Sequence, residues 1–156
     1  MKTLNTWLKA ATIGAAVTAS SAAMASNDLR WGMTGDALSL DPQGVLGAVE
    51  VIFLRNVYDG LMIQDENAKA QYGLAESHEV LADGTLRFKL RQGVKFHDGQ
   101  DFNADDVVFS INRTKGETSA FKSMVAAVAS VEKVDDYTVD LKMARPDPLI
   151  LGNLAN

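Results

Sequence analysis

The chain has 156 residues, no cysteine and three prolines. Without cysteine there is no disulfide framework, zinc ribbon, iron–sulfur ligand or thiol nucleophile. A lipoprotein anchor, which needs a cysteine at the cleavage point, is excluded with them. Basic residues are in the minority: 15 Lys and Arg stand against 20 Asp and Glu, a formal net charge of −5. That balance argues against a nucleic-acid partner, whose footprint is a basic face. Motifs of catalysis are missing too, with no G-x-G-x-x-G, no phosphate loop and no G-x-S-x-G. His78-Glu79 begins like a zinc-protease helix, but Ala82 stands where the second histidine is needed. No catalytic residue, metal or cofactor is therefore expected. What remains suits a folded chain: 47% of residues are apolar, and 22% charged is too few for a disordered one.

Residues 1–25 differ in composition from the rest. Lys2 and Lys9 are their only charges, and no acid occurs before Asp28. Ala10 to Val17 is a short run of small and apolar residues, and Ala23-Met24-Ala25 follows as a small-x-small site. These are the parts of a secretory signal peptide cleaved after Ala25. The run is too short to cross a bilayer, which needs about 20 apolar residues. Cleavage removes two lysines and no acid, so the exported chain is more acidic still. The expected location is the periplasm, without a lipid tether.

Periodicity organises the remainder. Leu29 to Met33 reads as a short strand and Thr34 to Gly47 as a loop around the Asp41-Pro42 turn signal. From Ala48, Val49, Ile52, Phe53, Val57 and Leu61 recur at three and four, which predicts a helix with Gly60 at its end. Leu61 to Gln64 reads as a strand, followed by a polar loop from Asp65 to Ala70. Glu76 to Leu81 and the alternating Leu86, Phe88 and Leu90 flank Asp83-Gly84, which predicts a hairpin. Its other face carries Arg87, Lys89 and Arg91, read as a solvated row rather than an anion site. Phe96 and Phe102 are expected to anchor the irregular stretch between them. Asn103 opens a helix with Asp105 and Asp106 in its first turn, Val107, Val108 and Ile111 inward, and Gly116 at its end. Asp101-x-Asn103-x-Asp105 begins like a calcium loop, but Asp106 replaces the required glycine. A second helix is predicted over Ser119 to Ala129. Strands Val131 to Val134 and Tyr137 to Met143 follow, joined through Asp135-Asp136, and another helix opens at Leu149. The fold class is α+β, a mixed sheet with hairpins and packed helices.

The stretch Leu86 to Arg113 reads LRFKLRQGVKFHDGQDFNADDVVFSINR. It resembles the signature of the peptide-type family of solute-binding proteins of ABC importers, which includes dipeptide, oligopeptide and nickel binders. Upstream, Ser39-Leu40-Asp41-Pro42 and Val57-Tyr58-Asp59-Gly60-Leu61 are similar to the family's N-terminal pair. Downstream, Val134-Asp135-Asp136-Tyr137-Thr138-Val139 is similar to its strand entry. Asp101 departs from the family, standing where proline is common.

The resemblance implies a two-lobed periplasmic binding fold of type II-like α/β kind, of which this chain is an N-terminal fragment. Residues 26–47 would begin lobe I, 48–144 would form a smaller subdomain carrying the signature, and 145–156 would return to lobe I. It implies a monomer without catalysis that binds a small solute, expected to be a peptide, between its lobes and delivers it to an inner-membrane permease. Val45, Leu46, Gly47 and Ala48 would lie at the cleft edge, with Phe121 as a further wall residue. The nearest acid in that segment is Glu50, which leaves recognition of a peptide's free amino terminus from this side in doubt. Two alternatives stand beside transport: a secreted hydrolase whose site lies in a missing C-terminal part, and a ligand-sensing receptor.

Overall fold

The computed structural model describes residues 32, 33 and 35–155. Every element below lies in one compact unit, Met33–Asn156. The expected signal segment and residues 29–31 of the expected first strand lie outside the described residues.

The elements run in the order α1 (Ala48–Leu54), β1 (Met62–Gln64), β2 (Ala70–Tyr72), β3 (Ala75–Val80), β4 (Leu86–Leu90), α2 (Ala104–Thr114), a 3-10 turn (Lys122–Val125), β5 (Val128–Asp135), β6 (Thr138–Met143) and α3 (Ile150–Asn153). β1 and β2 form a two-stranded sheet, and the other four form an antiparallel sheet in the order β3-β4-β6-β5. This mixture of helices and hairpin-linked strands is the expected α+β class.

The β3–β4 hairpin forms as its alternation predicts. Gly84 takes a φ of 83° in the turn, a conformation that only glycine adopts freely, and its N–H bonds Leu81 O at 2.9 Å. Phe88 and Leu90 of β4 and Val139 and Leu141 of β6 are almost wholly buried. Helix α2 lays Ala104, Val107 and Ile111 into the same core. Its start is a capping box: Asn103 Oδ1 accepts from Asp105 N at 2.7 Å, and Asp106 Oδ2 accepts from Asn103 N at 2.9 Å. The calcium-like spacing is thus a helix N-terminus. Lys133 of β5 reaches Asp105 at 2.8 Å and Asp136 at 2.7 Å, and this double pairing raises its pKa. Ala104 N also donates to Asp136 O. The first turn of α2 is therefore pinned to the β5–β6 turn.

Four expectations need correction. The helix from Ala48 stops at Leu54, well before Gly60. Asn56 Nδ2 donates to Ile52 O at 2.8 Å, and Asn56 and Val57 N–H groups turn back to Phe53 and Leu54 carbonyls, so short-range bonds close the helix early. Ile52 and Val57 are accordingly exposed. The predicted helix over Ser119 to Ala129 is only the short 3-10 turn, and β5 begins at Val128 and runs through Asp135, longer than Val131 to Val134. Val128 pairs with Met143 and is buried, so sheet pairing overrides the helical preference of the surrounding alanines. Phe96 is 47% exposed and touches buried Phe102 edge-on, so of the two rings only Phe102 is a buried anchor of that loop. The basic row is not uniformly solvated: Arg87 is half-buried and grips Asp140 of β6 with Nε and Nη2 at 2.7 and 2.8 Å. Asp140 is buried by this pairing.

Candidate functional site

The segment 36–47 has no regular secondary structure, yet side chains fix it at several points. Ser39 Oγ accepts from Asp41 N at 3.0 Å, and Asp41 Oδ1 accepts from Gln43 N at 3.0 Å. These short-range bonds make the turn that Asp41-Pro42 signals. Tyr58 Oη donates to Leu40 O at 3.4 Å. Glu50, in the first turn of α1, is buried and accepts from Leu38 N at 3.0 Å through Oε1. Its other oxygen lies where a Cβ on Gly47 would stand, so the position before the helix must be glycine for Glu50 to fold in. Glu50 is thereby committed to the scaffold and does not face solvent.

The far end of α2 holds the same loop. Arg113 Nη2 donates to Asp41 Oδ2 at 2.5 Å, and Nη1 donates to Gln43 Oε1 at 3.3 Å. Gln43 Nε2 donates to Ser110 O at 3.1 Å, and Gln43 O accepts from Ala120 N at 2.9 Å. Ala120 immediately precedes Phe121, the buried residue that opens the 3-10 turn.

Beside this loop lies an apolar cavity of about 650 Å³. Val45, Leu54, Tyr58, Phe102, Phe121 and Met124 are among its walls, and Gln43 and Arg113 add polar groups. Of the five residues singled out from sequence, Val45 and Phe121 meet at this cavity. Leu46 is exposed, Ala48 is exposed at the start of α1, Gly47 is the N-cap of α1, and none of the three lines the cavity. Arg113, Gln43 and Glu50, which position the loop, were not identified as site residues. Arg113 ends the Leu86 to Arg113 stretch, but nothing local in the sequence announces a partner 72 residues away.

Chemistry elsewhere is sparse. Among the described residues no group of three or more His, Asp or Glu is placed to hold a metal ion. His78 Nδ1 bonds the Tyr72 hydroxyl at 2.9 Å, and its ring stacks on Phe88. His97 is exposed on the turn before Gly99. Lys89 Nζ donates to Thr138 Oγ1 at 3.0 Å on the polar face of the sheet.

The carboxylates of the scaffold give a pH signature. Arg113 first, then the Gln43 N–H, hold the Asp41 carboxyl below its ordinary 3.8. Arg87 does the same for Asp140. A carboxyl whose pKa is lowered on folding stabilises the fold above its unfolded pKa, and that gain is lost as pH falls through the folded value. The melting temperature is therefore expected to hold between about pH 7 and 5 and to fall below about pH 4. Asp140→Asn should make the acid slope shallower. Thermal unfolding across pH checks this, and a wild-type melting temperature unchanged down to about pH 3 would contradict it.

Among the described residues no helix is long and apolar enough to cross a membrane. Residues 69–156 match the family model described as bacterial extracellular solute-binding proteins, family 5. The glutathione-binding protein GsiB of Pectobacterium atrosepticum is 33% identical over 153 residues, covering 96% of this chain and 30% of the relative. NikZ from Campylobacter jejuni, solved with Ni(L-His), superposes with a TM-score of 0.69 at 30% identity, over 78% of this chain and 25% of that one. The murein tripeptide binding protein MppA of Escherichia coli superposes at 0.68 with 27% identity, over 76% of this chain and 27% of that one. The chain thus spans about 30% of the length of the curated relatives it matches.

Proposed function

The chain belongs to the bacterial extracellular solute-binding proteins, family 5, and from that premise we propose that it forms part of the solute-binding component of an ABC importer. In this reading the protein is exported by its N-terminal segment with cleavage after Ala25, and it has no catalytic role. It closes two lobes on a peptide or similar small solute and hands that solute to a membrane permease. Closure needs no chemistry: the solute shifts the population toward the closed form as far as it binds that form better. Val45, Leu46, Gly47 and Ala48 supply one edge of the cleft, and Phe121 supplies a wall.

The observation that carries this reading is the loop over residues 36–47. It is irregular, yet fastened to α1 and α2 by Glu50, Arg113 and Gln43, and it brings Val45 to the same apolar cavity as Phe121. Irregular segments held on a rigid scaffold are where binding residues concentrate. The solute class follows the relatives: a glutathione binder and a murein tripeptide binder both take short peptides, and NikZ was solved with a nickel–histidine ligand.

The test is thermal unfolding of the protein expressed from its full reading frame, with glutathione, trialanine or nickel–histidine added. A ligand at a hundredfold excess over its Kd adds about 2.7 kcal/mol, so the matching class should raise the melting temperature by several degrees. No rise with any of the three would overturn the peptide-type assignment.

A further inference from the structure

The cluster of Asp41, Gln43 and Arg113 joins two parts of the chain that no regular element joins. Ser110 and Arg113 are three apart on α2 and so share a face. Gln43 docks on that face with both ends of its amide, donating to Ser110 O and accepting from Arg113 Nη1. Its backbone carbonyl meanwhile receives the N–H of Ala120. One residue thus ties the loop to α2 and to the residue before Phe121. Arg113 completes the arrangement, since its second nitrogen is taken by Asp41. This divided use suits a planar guanidinium with several fixed donors, whereas a lysine ammonium is a single point charge.

We propose that Arg113 is the positioning residue of the solute edge, its fork holding Asp41 and Gln43 so that Val45 and Phe121 stay at one cavity. The proposal rests on the reading of segment 45–48 and Phe121 as solute-facing. Arg113 borders the cavity, but its Nη1 and Nη2 are given to Gln43 and Asp41, so its role here is positioning. The edge is then a fixed wall rather than a lid, and a solute pays no ordering cost when it docks there. Loss of the fork should leave the β-sheet intact and loosen only the loop.

Hydrogen exchange on the solute-free protein, expressed from its full reading frame, tests this directly. The amides to follow are Gln43, Gly44 and Ala120, each bonded within the cluster, with Phe88 and Leu141 of the sheet as reference. In Arg113→Met these three amides should exchange about tenfold faster while the sheet amides hold their rates. Arg113→Lys should fall between the two, and it carries the same reading if the methionine variant fails to fold. Unchanged loop rates, or a rise matched in the sheet, would overturn the positioning role. The same variants are then titrated with glutathione and with trialanine. If the wild type binds either, Arg113→Met should weaken that binding about tenfold. A loosened loop with unchanged affinity would overturn the link between this loop and solute. If the wild type binds neither, the solute reading fails, while the exchange rates still decide the role of Arg113 in the loop.

Discussion

Replacing Phe88 with alanine is expected to remove about 3–5 kcal/mol of stability. Phe88 sits in the middle of β4, an interior strand of the four-stranded sheet, and is wholly buried. Its cross-strand partners are His78 on β3 and Val139 on β6. The His78 ring stacks on it with centroids 5.6 Å apart, and Val139 is itself buried. Truncation removes the apolar transfer energy of the ring and leaves a void that neighbours on two hydrogen-bonded strands cannot move to fill. Domains of ordinary stability hold about 5–15 kcal/mol, so the loss is a large share of the whole. Urea unfolding of wild type and variant measures it as a fall in midpoint at constant slope. Phe88→Leu, which refills most of the space, should lose less. A loss under about 1 kcal/mol in the alanine variant would mean that Phe88 is not the centre of this core.

How far the sequence reveals this fold depends on whether the signal is local. Leu86, Phe88 and Leu90 alternate in the sequence and lie buried in β4, because a period of two and a strand facing one core are the same fact. Asn103 and Asp106 stand three apart and close a capping box, which is equally local. The failures involve distant partners. Alanines at 126, 127 and 129 favour helix by themselves, but Val128 is claimed by Met143 across the sheet. Ala70 to Tyr72 is too short and polar to declare itself a strand, and it becomes one only by pairing with Met62 to Gln64. Arg87 and Asp140 look like separate surface charges until the β4–β6 register sets them opposite one another.

The candidate site divides the same way. Asp41-Pro42 announces its turn through bonds spanning two residues, so the loop was legible as a loop. What holds it was not. The Asp41–Arg113 bond spans 72 residues, and the Gln43–Ser110 bond spans 67. Glu50 reads in sequence as the nearest available acid, and the structure turns it inward to Leu38 N. Val45 and Phe121 share a cavity because Gln43 ties their segments together, a relation that no spacing pattern encodes. A motif of the Leu86 to Arg113 kind therefore marks scaffold first. Its last residue, Arg113, is where that scaffold reaches the loop.

Gly73→Ala is expected to cost about 1–3 kcal/mol through overpacking. A methyl at Gly73 would stand 2.4 Å from Gly60 O and 2.9 Å from Ile63 Cγ2. The first of these is a backbone atom and cannot swing aside. It is also engaged, since Leu74 N donates to Gly60 O at 2.9 Å, while Gly73 N and Ala75 N both donate to Leu61 O. Two stretches of main chain cross here at a separation that only glycine permits. Gly60 is tight on its own account, since a methyl there would lie 2.6 Å from Met62 O. The glycine of Val57 to Leu61 is thus required by a backbone crossing, not by a helix end. Gly152→Ala is the matching control. That glycine lies in α3 with nothing near its missing methyl and without a positive φ, so alanine should be neutral or stabilising by up to about 1 kcal/mol. The same chemical change is then expected to have opposite sign at two positions, read as urea midpoints of the two variants. Equal midpoints would mean that the chain spreads at the crossing without penalty. The consequence reaches the site, because Met62 and Ile63 of β1 line the cavity that Val45 and Phe121 share. A forced separation at Gly73 moves that wall.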